Sequence, residues 1–307
     1  MNPSPTLEVK SGAAPPPVHP LTALLAAVVV FSWAGPLVRF TDAPALAVSF
    51  WRLFMAVTVI AAILTFRGQG WRPVRALSRQ DWVAALGAGV LLAFHFWSWI
   101  ASVQFTSVAS SVILVSTQPL FVALLSAFLI AERPKKGEWV GMGVAFLGAV
   151  VIGWGDFSRG AHAIFGDALA LSAAFLAASY YVVGRTLRGR VDLWTYVFVV
   201  YGAATLVLGV AILALPGVSF VSGYGKTDWA VFLALALGPM LLGHTAINYS
   251  LRYIRAYMAN LAVLGEPVGA TLIAWLLPAI AEAPTPATFA GGGLILVGIG
   301  IALFRGR

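Results

Sequence analysis

The sequence predicts an all-α polytopic membrane protein, with ten transmembrane helices arranged as two inverted five-helix repeats. Three observations predict it: an apolar balance along the whole chain, basic residues confined to one set of connections, and motifs that recur in order between the halves. Of 307 residues, 60% are hydrophobic and 10% charged, with a mean hydropathy of +0.92. A soluble domain is nearer about 25% charged. Apolar runs of about 20 residues suit a hydrocarbon core about 30 Å thick. The alternation of a membrane barrel is missing, and a backbone in lipid must satisfy its own hydrogen bonds, so the runs are helices.

Ten runs are marked, at 20–39, 45–66, 82–103, 108–130, 138–155, 165–185, 193–215, 228–250, 257–280 and 286–304. Residues 1–19, with Pro3, Pro5 and the run Pro15, Pro16 and Pro17, read as a disordered cytoplasmic tail. They lack the basic start, apolar run and cleavage site of a signal peptide. Short connections make consecutive helices close neighbours. Lys10, Arg67, Arg72, Arg75, Arg79, Arg133, Lys135, Lys136, Arg185, Arg188, Arg190, Arg252, Arg255, Arg305 and Arg307 fall in the tail, alternate connections and C-terminus. The opposite connections hold Arg39, Arg159 and Lys226, while Arg52 lies inside a span. This asymmetry predicts a multi-pass protein of a bacterial inner membrane with both termini in the cytoplasm. The net charge of +8 is then topological and calls for no nucleic acid. With no cysteine, disulfides, thiolate metal sites and thiol catalysis are excluded.

Aligning the halves pairs Phe105 with Tyr253 and Gln118-Pro119 with Glu266-Pro267. After a two-residue insertion, Ala131-Glu132 pairs with Ala281-Glu282, Pro134 with Pro284, and Gly141, Gly143 and Gly148 with Gly291, Gly293 and Gly298. The repeats are expected at 20–155 and 165–304. Five spans per repeat is an odd number, so the second enters the membrane inverted. ERPKKGE carries three basic residues and AEAPTPA none, which agrees. Inverted repeats are a transporter architecture, with substrate near the midplane between the halves. The glycines allow close helix packing and form no nucleotide loop.

At these paired Q/E-P, AExP and GxGxxxxG blocks, with helix starts FTSVASS and YIRAYMAN, the chain resembles the EamA-type drug/metabolite transporter superfamily over residues 20–304. The resemblance implies a ten-helix inner-membrane carrier that moves metabolites by alternating access through a central cavity. Its aromatic-rich spans look most like the aromatic amino-acid exporter (YddG-type) branch. Gln118 departs from the pattern, which has an acid there.

Candidate site residues follow from polar groups at helical spacing. His95, Ser98, Trp99 and Ser102 share one face of the third span, with Phe94, Trp97 and Ile100 on other faces. Such a stripe wants protein or water rather than acyl chains: it either lines a cavity that binds an aromatic or zwitterionic solute, or holds a buried histidine against a neighbouring helix. His244 with Asn248, and Asn260, stand open between cavity lining and interhelical bonding. Ser107, Ser111, Leu114 and Gln118 form a similar stripe. Trp33, near Pro36, and Tyr180 with Tyr181 occupy comparable places in the halves and read as anchors or cavity lining. Arg52 meets a substrate carboxylate or Glu266, or is a fixed interhelical partner. Glu266 has three readings: proton-coupling carboxylate, contact for a substrate amino group, or hydrogen-bond partner of neighbouring helices. Pro267 and Pro119 free the carbonyls of Val263 and Val115, which makes Glu266, Pro267, Gln118 and Pro119 a paired hinge.

The function expected is secondary export of small metabolites, amino acids including aromatic ones among them. Broad-specificity efflux is the alternative, and a membrane-embedded enzyme a weaker one, since HExxH, paired aspartates and a nucleophile elbow are all absent from the sequence. A channel would need rings of like groups. No ATP-binding cassette motif, cofactor or metal site is expected; the expected partners are a small-molecule substrate and the lipid bilayer, with the chain a monomer.

Overall fold

The computed structural model describes residues 16–132, 134–157, 160–261 and 265–305. Most of the expected tail, the carbonyl of Val263, and Lys10, Arg133, Arg159 and Arg307 lie outside them. The described residues are helical, with no strand among them. In chain order the helices are α1 (Pro20–Phe31), α2 (Ala34–Val38), α3 (Ala45–Phe66), α4 (Arg72–Arg75), α5 (Arg79–Phe105), α6 (Val108–Val115), α7 (Gln118–Leu129) and α8 (Lys136–Phe157). The second half holds α9 (Ala161–Leu187), α10 (Leu193–Ala214), α11 (Lys226–Leu235), a π-helix (Ala236–His244), α12 (Thr245–Ser250), α13 (Ala256–Leu261), α14 (Glu266–Leu276) and α15 (Pro286–Arg305). Among the described residues, 7 helical stretches are long and apolar enough to cross a membrane. The expected spans at 138–155, 257–280 and 286–304 correspond to α8, α13 with α14, and α15, which are not among the seven. Phe66, Trp154 and Phe128, 87%, 83% and 82% exposed, are large apolar surfaces that suit acyl chains and not water.

Local chemistry sets the boundaries. Ser78, Ser107 and Asp192 accept the third following backbone N–H at the starts of α5, α6 and α10, the capping that orphan helix donors require. The fourth span breaks between α6 and α7, two residues before Pro119. There Ser116 Oγ donates to the Val112 carbonyl and Thr117 Oγ1 to the Leu114 carbonyl, each at 2.7 Å. Hydroxyls thus supply hydrogen bonds where proline interrupts the backbone ladder. In the ninth span α14 likewise begins at Glu266-Pro267, the counterpart of the Gln118-Pro119 start of α7.

Helices α8 and α15 pack together through the glycines that the sequence pairs. A Cβ on Gly141 would strike the Gly298 carbonyl, and one on Gly148 the Gly291 carbonyl. The pairs are exchanged, as contact between two copies of one motif about a two-fold requires. A Cβ on Gly143 meets nothing within 4 Å. Gly148→Leu is therefore expected to destabilise the protein by about 1–3 kcal/mol or more, read as a lower thermal midpoint in detergent. Gly143→Leu should leave the midpoint unchanged; equal midpoints for the two variants would remove the close packing as its cause.

The α7 and α14 ends match as well. Ala131 and Ala281 both adopt a left-handed backbone, with φ of 57° and 50°, a conformation costing about 1–2 kcal/mol for a residue with a Cβ. Each turns the chain so that the next residue's N–H reaches back into the helix: Glu132 to Ser126 at 3.1 Å, Glu282 to Ala274 at 3.0 Å. Ser126 and Ala274 occupy equivalent places in the alignment, so the two-residue insertion is absorbed in the turn.

Those turns aim two carboxylates at two arginines. At one end of the bundle Glu282 meets Arg39, just after α2, at 2.6 Å. Arg39 Nη2 also donates to the Thr106 carbonyl at 2.6 Å, and the Val108 N–H donates to Glu282 Oε2 at 2.8 Å. At the other end Glu132 meets Arg185, near the end of α9, at 2.9 Å, and Arg185 Nη1 donates to the Leu251 carbonyl at 2.7 Å. Each arginine holds the corner before the Q/E-P span of its own half and the glutamate of the opposite half. Arg67–Asp192 at 2.8 Å and Arg190–Asp81 at 2.6 Å fasten further connections at the Arg185 end.

Candidate functional site

Between these two ends lies a cavity lined by both halves of the chain, the concave, mostly apolar setting with a few polar groups that small-molecule sites favour. Its lining comes from Phe31 and Ala34, from Arg52 on α3, from His95, Phe96 and Trp99 on α5, and from Val115, Ser116, Gln118 and Pro119 at the α6–α7 break. The second half supplies Tyr181 on α9, His244, Ile247 on α12, Asn260 on α13 and Glu266. The α6–α7 break opens onto it, and so does Glu266 at the start of α14.

A feature that the sequence reading missed shapes one wall. Within the expected span 228–250, α11 gives way to a π-helix containing Pro239. A proline lacks the N–H that an α-helical ladder needs, and π-turns recur at functional sites. Pro239 inside the span was the available signal. The widened turn ends on His244, whose Nδ1 lies 2.9 Å from the Tyr181 hydroxyl. Its ring meets Phe31 at 4.9 Å and Phe96 at 5.0 Å, both edge-on. A Cβ on Gly243 would sit against the Phe31 ring, so glycine there is what lets that ring approach.

His95 Nδ1 lies 2.9 Å from the Ala173 carbonyl. A carbonyl only accepts, so Nδ1 carries a proton. Gln118 Nε2 donates to Asn260 Oδ1, joining α7 to α13, and Asn260 Nδ2 donates to the Ala256 carbonyl at 2.8 Å. The repeat alignment places Val112 opposite Asn260. Glu266 is the counterpart of Gln118, and no ion pair to Glu266 forms among the described residues. Arg52 is 1% exposed, its Cζ 4.0 Å above the Phe96 ring and 5.8 Å from the Trp99 ring. Arg52 Nε and Nη1 and Trp99 Nε1 are buried without a hydrogen-bond partner.

The structure thus brings His95, Trp99, Gln118, Pro119, His244, Asn260, Arg52 and Glu266 to one cavity. It places the other expected site residues elsewhere. Ser98 bonds to the Phe94 carbonyl at 2.7 Å and Ser102 to the Trp99 carbonyl at 2.7 Å and to Ser111 at 2.5 Å; short hydroxyls satisfied by their own helix turn away from the space. Asn248 donates to the Tyr180 and Tyr201 hydroxyls and the His244 carbonyl, so Asn248 and Tyr180 form a buried network behind the wall, and Tyr181 is the tyrosine at the cavity. Trp33 is 44% exposed, facing outward between α1 and α2. Pro267 lies in an apolar cleft between α14 and α15. No cluster with metal-ligand spacing exists among the described residues.

A profile of the EamA-like transporter family matches residues 20–154 and again residues 164–304. The chain belongs to the EamA-like transporter family. Among its relatives is the pseudopaline exporter CntI of Pseudomonas aeruginosa, 30% identical over 291 residues that cover 93% of this chain and 95% of the relative. An uncharacterized transporter of Archaeoglobus fulgidus is 27% identical over 282 residues, covering 91% and 94%. A solved crystal structure shares the fold, with a TM-score of 0.71 at 20% identity over 94% of this chain and 97% of that one. As an EamA-like protein the chain is a membrane-embedded transporter of small molecules, and the cavity is where its two matched segments meet.

Proposed function

We propose that the chain is a secondary exporter carrying small metabolites, amino acids including aromatic ones among them, across the inner membrane by alternating access. The observation that carries this reading is the make-up of the cavity lining: one guanidinium, one carboxyl group, two imidazoles and several aromatic rings. Such a space suits a solute with both charges and an apolar body. In this reading ten helices form two inverted repeats. The repeat-matched ends at Glu132 and Glu282, the exchanged glycine contacts of α8 and α15, and the twice-matched family profile support that arrangement. The basic connections lie at the Arg185 end, which would place that end and both termini in the cytoplasm.

The test is counterflow by purified protein in liposomes, across a panel of amino acids. Saturable, stereoselective exchange is expected; flux that rises linearly with concentration would replace the carrier by a channel. The pseudopaline exporter among the relatives is the reason for a second reading, so the panel includes pseudopaline. Exchange of pseudopaline without any amino acid would overturn the amino-acid assignment and leave the carrier in place.

A further inference from the structure

We infer that Arg52 and the Trp99 indole form a carboxylate-binding subsite, and that substrates of this cavity are carboxylates. The inference deepens the function proposed above and rests on the cavity being the transport site. Three polar atoms of its lining are buried without a partner, Arg52 Nε, Arg52 Nη1 and Trp99 Nε1, and all three are donors. Buried donors left unpaired are costly, and a buried unpaired cation is more so. The Phe96 face beneath the guanidinium supplies cation–π attraction, but a ring offers no lone pair to an N–H. What the arrangement lacks is an acceptor with negative charge.

A planar guanidinium presents parallel N–H groups that match a carboxylate, and charge-assisted hydrogen bonds of that kind are among the strong ones. The indole N–H comes from α5, four residues after His95, and supplies a further donor without adding charge. Arg52 and Glu266 are the charged residues lining the cavity, and no ion pair joins them among the described residues. The guanidinium therefore has no anionic partner in the structure, and Glu266, when ionised, suits a cationic group of the same solute.

The experiment measures ligand-induced shifts in thermal midpoint and competition binding with purified full-length protein. Its probes are L-phenylalanine, L-phenylalaninamide, 2-phenylethylamine and 3-phenylpropionate, with L-glutamate and L-histidine as unlike carboxylates. Acids are expected to bind at least tenfold more tightly than the amide or the amine. Arg52→Lys should weaken the acids tenfold or more, since a point charge replaces the fork. Trp99→Phe keeps an aromatic ring and loses the N–H, so it should weaken the acids about threefold to tenfold and leave the amine unchanged. If Arg52→Lys fails to fold, Trp99→Phe alone decides. Equal binding of phenylethylamine and phenylalanine, unchanged acid affinity in Trp99→Phe, or no binding by any of the acids each overturns the subsite. Binding of phenylpropionate without any amino acid supports the subsite and overturns the amino-acid reading.

Discussion

Holding either end of the bundle closed is expected to stop transport. The Arg39–Glu282 and Arg185–Glu132 pairs tie the halves together at opposite ends, so a carrier that exposes its cavity to each side in turn must break one pair while keeping the other. Their strength suits that task. The Arg39–Glu282 side chains are 24% and 26% exposed, and a pair with that access to solvent contributes about 0–1 kcal/mol. The Arg185–Glu132 side chains are 8% and 20% exposed, so stronger attraction is offset by a larger desolvation cost. Neighbouring backbone hydrogen bonds add about 1 kcal/mol each. Each end is then held by a few kcal/mol, a bias that ligand binding can shift. The chain has no cysteine, so Arg39→Cys with Glu282→Cys, or Arg185→Cys with Glu132→Cys, introduces one reactive pair. Linking either pair with a short bifunctional thiol reagent should lower counterflow at least tenfold, and reduction should restore it. Charge reversal gives an independent reading: Glu282→Arg alone should impair transport, and Arg39→Glu added to it should recover most of the loss. A linked protein that exchanges substrate at the unlinked rate would show that these ends do not open.

Much of this was legible in the sequence, and the reason is periodicity. Motifs that recur in order had to serve equivalent places, so the glycines of α8 and α15, the helix starts at Gln118 and Glu266, and the two AE turns all sit where the alignment puts them. Span three was half legible. Its polar stripe is buried as helical spacing requires, yet only His95 and Trp99 reach the cavity. Spacing places residues on a face; it does not say which side chains are long enough to leave their own helix. Ser98 and Ser102 are too short and bond to their own backbone. The ion pairs were hidden for a different reason. Arg39 and Arg185 entered the reading as loop charges that set topology, and their partners lie far along the chain, across the repeat. Nor could spacing reveal that Pro239 would be absorbed by a π-helix instead of a kink, because the same residue permits either. Asn260 shows a difference between the repeats: it accepts from Gln118, while its counterpart in the alignment is the apolar Val112.

Glu266→Gln is expected to invert the cavity's preference rather than abolish binding. Arg52 and Glu266 line the cavity together, and with Glu266 ionised the pair complements a zwitterion. Two unit charges about 4–8 Å apart at an effective dielectric of about 20 interact by roughly 2–4 kcal/mol. Removing the carboxylate therefore withdraws tenfold or more of affinity from a ligand ammonium, while the guanidinium keeps its attraction for carboxylates. Phenylalanine should lose affinity in the variant relative to phenylpropionate by at least that factor; Arg52→Met should shift preference the other way, toward phenylethylamine. The exchange is between charge states of isosteric side chains, so membrane insertion and thermal midpoint should change little in Glu266→Gln. An imposed pH gradient separates binding from proton transfer. If Glu266 carries a proton during the cycle, the gradient accelerates wild-type transport and leaves Glu266→Gln indifferent, whereas counterflow, which needs no net proton movement, survives in both. Equal responses of the two proteins to the gradient would confine Glu266 to recognition, and an unaltered phenylalanine-to-phenylpropionate ratio would remove it from recognition too.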